Sequence, residues 1–139
     1  MDVLVLIGRI VFCALFLGSA FGHFTQTEAM VGYTKSRGVP AARLAVLGSG
    51  ALLAVGGLMV LFGVWLDLGA LLLVIFLVPT AVLMHGFWKE TDPQARQLEM
   101  VQFQKDMALA GASLMLFALL AHVGDDLGLT ITGPLFSLN

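Results

Sequence analysis

Charge is scarce in this chain. Asp, Glu, Lys and Arg together make up 12% of its 139 residues, against roughly 25% in an ordinary soluble domain. So few polar side chains do not cover the surface of a globule, which argues against a soluble fold. The basic residues are also outnumbered, 7 against 9, for a net charge of −2. That argues against a nucleic-acid partner, whose phosphates need a basic face. There is one cysteine, so an intramolecular disulfide and a CxxC pair are both excluded. Cys13, in the middle of an apolar run, reads as small apolar filler. CxxCH, HExxH, a glycine-rich phosphate loop and a dinucleotide fingerprint are all missing. No residue is therefore assigned as catalytic and no metal set is assigned. The balance leans away from an enzyme acting alone.

Apolar residues are what the chain has in quantity, at 59% with a mean hydropathy of +0.97. They fall in four blocks, at about 3–21, 44–66, 68–87 and 104–123. A helix needs about 20 apolar residues to cross a hydrocarbon core, and helices satisfy their own backbone in lipid. Strand-like alternation is absent. The expected fold is all-α, a transmembrane four-helix bundle forming a single four-span membrane domain over residues 1–139. The first block has no Lys or Arg ahead of it, Asp2 is acidic and Arg9 interrupts it. It reads as a retained span rather than a cleaved leader.

Lys35, Arg37 and Arg43 lie between blocks one and two, Lys89 and Arg96 between blocks three and four, and Lys105 at the start of block four. The excess of positive charge marks the cytoplasmic side, so both termini are expected outside the bacterial plasma membrane. Thr25-Gln26-Thr27-Glu28 has capping-box spacing, and Gly38 and Pro40 supply a stop. Residues 26–37 are expected to form a short interfacial helix. Asp92 followed by Pro93 predicts the start of the last helix. The turn between the second and third spans is expected at Asp67. Gly48, Gly50, Gly56, Gly57 and Gly63 read as the packing seam of the bundle, with a slot for an apolar tail as the alternative. Pro79 is expected to perturb the third span.

Ionisable residues within membrane spans are functional candidates by default. One group lies at the cytoplasmic ends: His23, His85, Trp88, Phe103, Lys105 and Asp106. Histidine and aspartate there can hydrogen-bond a quinone head on which Trp88 and Phe103 stack. Plain interfacial anchoring explains the same residues. Two histidines also permit haem ligation, but no motif selects it. A second group at the outer ends, Arg9, Asp67, His122 and Asp125, is expected to be structural, with Arg9 paired to Asp67 or Asp125.

Several stretches together resemble the DoxX family of small bacterial membrane proteins. They are Arg9, Met30 to Pro40 (MVGYTKSRGVP), Gly56-Gly57, Met84-His85-Gly86-Phe87-Trp88 and Gln102-Phe103-Gln104-Lys105-Asp106. The chain departs from that pattern at Asp106, where Asn is frequent, and in lacking a Glu in the second span. The resemblance implies a four-helix membrane fold in a redox or oxidative-stress setting; with the cytoplasmic-end residues it gives the leading expectation of an accessory protein that binds a quinone, with no cofactor assigned. Other membrane or cytoplasmic redox proteins and membrane lipid would be its partners. It does not imply a reaction. A carrier for a lipid or other hydrophobic molecule, and a structural subunit of a membrane complex, remain the alternatives.

Overall fold

The computed structural model describes residues 1–123 and 126–137. Five α-helices follow one another: α1 Asp2–Thr25, α2 Thr27–Ser36, α3 Ala42–Phe62, α4 Leu66–Met84 and α5 Pro93–Val123, with a 3-10 turn at Phe87–Lys89 before the last. Four are long and apolar enough to cross a membrane, and α2 is the short one between the first two spans. The chain is an all-helical, multi-pass membrane protein. In the order α1, α3, α4, α5 each span packs on the next, and α2 lies against α3. The core between them includes Cys13, Phe16, Leu53, Val60, Leu73, Leu77 and Ala110. The two loops that carry the basic residues share one end of the bundle, here the loop end. The termini share the other, the terminal end.

Local chemistry sets the boundaries. Gly38 takes φ 78° after α2, a left-handed conformation that glycine adopts without steric penalty. Asp92 caps α5 through its carboxylate, which accepts the Ala95 N–H at 2.8 Å. The expected capping box at Thr25 does not form. Thr25 is the last residue of α1 and its hydroxyl donates to the Phe21 carbonyl. Glu28 instead pairs with Arg43. The turn between α3 and α4 falls at Gly63-Val64-Trp65, not at Asp67. Gly63 has φ 72° there and Trp65 φ 42°. Asp67 consequently lies in the first turn of α4 and is fully buried.

The terminal end is closed by the segment after α5. The Gly63 carbonyl accepts the Ile131 and Thr132 N–H groups at 2.9 and 3.0 Å. Thr132 Oγ1 accepts the Trp65 N–H at 2.8 Å, which supports that residue's positive φ. The Asp67 carboxylate accepts the Leu135 and Phe136 N–H groups at 2.9 and 2.6 Å. Among the described residues Arg9 is bonded to backbone carbonyls and not to Asp67. Its guanidinium donates to Val60 O at 2.8 Å, Leu129 O at 2.7 Å and Leu61 O. Val60 and Leu61 are in the last turn of α3, where carbonyls have no partner within the helix. A cation is favoured at that end by the helix dipole. Asp125 lies outside the described residues. His122, exposed near the end of α5, is engaged in an interaction of its own.

The glycine seam is real but local. A Cβ at Gly56 would lie 3.1 Å from the Gly69 carbonyl oxygen, and one at Gly57 would lie 3.1 Å from Leu17. Gly56→Val is expected to lower stability by about 2–3 kcal/mol through overpacking. Gly111→Val, where a Cβ would meet nothing within 4 Å, is expected to cost well under half as much. Thermal unfolding in mild detergent reads both.

Candidate ligand cavity at the loop end

The loop-end half of the bundle encloses a cavity of about 680 Å³. This lies within the 300–1,000 Å³ usual for small-molecule sites. Its long walls are apolar: Phe16 from α1, Leu52 and Leu53 from α3, Phe76 and Leu77 from α4, and Leu109 from α5. From Leu44 to Leu53 the wall on α3 runs about 13 Å, at the helical rise of 1.5 Å per residue. Among its polar lining residues, His85, Lys105 and Asp106 cluster at the loop end, while Ser19, His23, Ser49 and Thr80 lie along the walls.

The chain places those groups through breaks in its helices. α4 stops at Met84, and His85 is the residue that ends it. The helix does not run on to Trp88, so His85 and Trp88 do not share a helix face. The 3-10 turn carries Trp88 away from the cavity, where it packs edge-on against Phe87 and Phe103 with centroids 5.2 and 5.7 Å apart. Trp88 is half exposed and neither it nor Phe103 lines the cavity. Those two aromatics pack on each other outside the cavity. His23 and His85 line the same cavity. His23 Nδ1 donates to the Ser19 carbonyl at 2.8 Å and its ring stands edge-on to Phe76.

His85 sits between two carboxylates of α5. Nδ1 is 2.8 Å from Glu99 Oε2, and Nε2 is 3.7 Å from Asp106 Oδ2. An ionised carboxylate only accepts, so Nδ1 carries the hydrogen towards Glu99. Asp106 is buried and also has Lys105 Nζ 3.4 Å from Oδ1. Glu99 extends the network outward. Its Oε1 accepts the Tyr33 hydroxyl at 2.9 Å and pairs with Arg37, which also pairs with Glu90. Tyr33 accepts from Arg37 Nε at 3.1 Å. One connected set of side chains thus ties α2, the 3-10 turn and α5 together over the head of the cavity.

Tyr33 and Arg37 lie in quoted stretches of the sequence, but Glu90 and Glu99 were not singled out there. The signal for Glu99 is its spacing. It precedes Asp106 by seven residues, two helical turns, and so shares its face. Burial pushes the Tyr33 phenol up, Arg37 opposes this and Glu99 adds to it. Arg37 lies above the ordinary arginine range. Burial would lower it, but the bonds to Tyr33 and Glu90 and the charge of Glu99 outweigh that.

Comparison with known proteins gives two matches. The DoxX family profile covers residues 4–86, from α1 through α4. The inner membrane protein YphA of Escherichia coli (strain K12) is 29% identical over 114 residues, 82% of this chain and 81% of that protein. No solved structure matches.

Proposed function

This chain belongs to the DoxX family, and from that premise we propose that it binds a neutral amphiphile, a quinone, in the loop-end cavity as an accessory to a membrane redox system. The observation that carries the reading is the form of the cavity. It is a largely apolar slot whose loop end carries a cluster of ionisable groups, His85, Lys105 and Asp106. The head cluster holds two cations, Lys105 and Arg37, against three carboxylates, Glu90, Glu99 and Asp106. That leaves no surplus of positive charge to hold a phosphate head, whereas a carbonyl or hydroxyl head finds donors and acceptors.

In this reading the basic loops face the cytoplasm and the termini face outward, across a bacterial plasma membrane. Redox partners would dock on the loop end. His85 and Asp106 bind and orient the head, and Lys105 contributes a donor. Gly56 and Gly57 are packed against neighbouring helices and are not part of the slot. A carrier of another hydrophobic molecule is the second reading, favoured by the same apolar walls.

The test is quantitation of co-purified quinone and lipid by mass spectrometry. Asp106→Asn keeps shape and removes charge. It is expected to lower quinone occupancy about tenfold at unchanged helicity, the loss of about 1.4 kcal/mol in binding. Wild-type protein carrying phospholipid and no quinone would sink the quinone reading and leave the carrier.

A further inference from the structure

The two helix pairs that border the cavity differ along their length. α1 and α3 stay close at two heights. A Cβ at Gly57 would lie 3.1 Å from Leu17, and one at Gly50 would lie 2.8 Å from His23. α3 and α4 are tight towards the terminal end. There Gly56 faces the Gly69 carbonyl, and a Cβ at Gly69 would lie 2.8 Å from Met59. Gly48 lies about two turns nearer the loop end than Gly56, roughly 80° around α3 from it, and is exposed. A Cβ there would meet nothing within 4 Å. The two helices therefore cross at Gly56 and Gly69 and leave a wedge towards the loop end. Both edges of the wedge are exposed and apolar: Leu44 and Gly48 on α3, Ile75, Pro79 and Leu83 on α4. Buried Leu53 and Leu77 lie at its narrow end. All seven residues also line the cavity. The wedge is thus continuous with the polar head at His85 and Asp106.

We propose that the wedge between α3 and α4 is a lateral portal through which the ligand's apolar tail enters from the bilayer, with Gly48 and Leu83 setting the tail width that passes. The proposal rests on the reading of the cavity as a site for an amphiphile. It adds the route and the residues that select the tail. A ligand with a polar head and an apolar tail keeps the tail in hydrocarbon throughout such an entry. No polar group has to cross the apolar wall, which would cost several kcal/mol. The missing side chain at Gly48 is what keeps the mouth open on the α3 side.

The test does not need the natural ligand. Leu52→Cys, on the Gly48 face, is made in a Cys13→Ala background and reconstituted in phosphatidylcholine vesicles. A dodecyl maleimide dissolved in the bilayer is the probe, and a sulfonated maleimide in water is its counterpart. The lipid-borne reagent is expected to label Cys at position 52 much faster than the aqueous one. Gly48→Trp is expected to slow that labelling at least tenfold. Gly18→Trp, at a position where a Cβ meets nothing within 4 Å, is expected to leave it unchanged. Leu83→Trp tests the opposite wall and decides the matter should Gly48→Trp lose its helicity. Unchanged labelling in the tryptophan variants, or equal rates from water and from lipid, would overturn the portal. Blocked labelling in a protein that carries no quinone would keep the portal and reject the quinone.

Discussion

Arg37→Ala is expected to release α2 from the bundle and to lower stability by about 2–4 kcal/mol, near the range for removing one partner of a buried ion pair. Arg37 is 14% exposed and holds Glu90 and Glu99, which are 24% and 12% exposed. Without it the two carboxylates keep their desolvation and lose their shared cation. The Tyr33 hydroxyl loses its donor as well. Arg37→Lys keeps the charge but not the planar fork that reaches three partners at once, and should recover less than half. Arg43 is the internal control. Its pair with Glu28 is 64% and 76% exposed, so Arg43→Ala should change stability by less than about 0.5 kcal/mol. Thermal unfolding in detergent gives the ranking, and hydrogen exchange over residues 27–36 locates the loss. Equal midpoints for Arg37→Ala and Arg43→Ala would contradict the latch.

The latch also has a pH signature. Arg37 is held above its ordinary value in the folded protein, so its contribution is fully present below that value and is not lost at any usable alkaline pH. Tyr33 is raised above the ordinary 10.0, with burial as the largest cause. Folding therefore favours the neutral phenol. Its contribution is present below pH 10 and fades as the pH rises through the higher folded value. Tyr33 is the sole tyrosine, so tyrosinate absorbance reads this directly. A titration at or below the free phenol's would show that the hydroxyl is not in the network.

The spans were legible because each depends only on its own composition. Lipid demands a long apolar run, and the run announces itself. The α5 start was legible for a similar reason, since Asp92 and Pro93 act within one turn. The short turn at Gly63–Trp65 was misplaced to Asp67 because a charge normally marks a surface. Here the charge is buried and accepts two N–H groups from a segment some 68 residues away. The Arg9–Asp67 pairing failed in the same way, because the last turn of α3 already offers carbonyls that need donors. His85 and Asp106 were legible as intramembrane ionisable residues. Glu99 was not, because it precedes the apolar run and looks like ordinary loop charge. Only the α4 break at Met84 shows that His85 turns towards it.

Arg9→Met is the test with the largest expected effect at the opposite end of the bundle. Methionine fills much of the same volume and adds no buried charge. It leaves the Val60, Leu61 and Leu129 carbonyls without the donors that Arg9 supplies. Each carbonyl left unsatisfied away from water costs about 1–3 kcal/mol. The total expected loss is about 3–5 kcal/mol, since release of the desolvated guanidinium offsets part of it. Arg9→Lys should recover part of that, because an ammonium has three donors but cannot span three carbonyls with the same reach. Asp67→Asn should cost less than Arg9→Met. It keeps one acceptor for Leu135 or Phe136 and turns an amide donor towards the other. If the terminal end is a closure and the loop end a binding site, the two separate in one experiment. Arg9→Met protein that survives purification should keep its ligand occupancy at a lowered midpoint, whereas Asp106→Asn should keep its helicity and lose occupancy. Loss of occupancy in Arg9→Met in proportion to its stability loss would mean that the cavity depends on the terminal closure, and that the two ends fold as one unit.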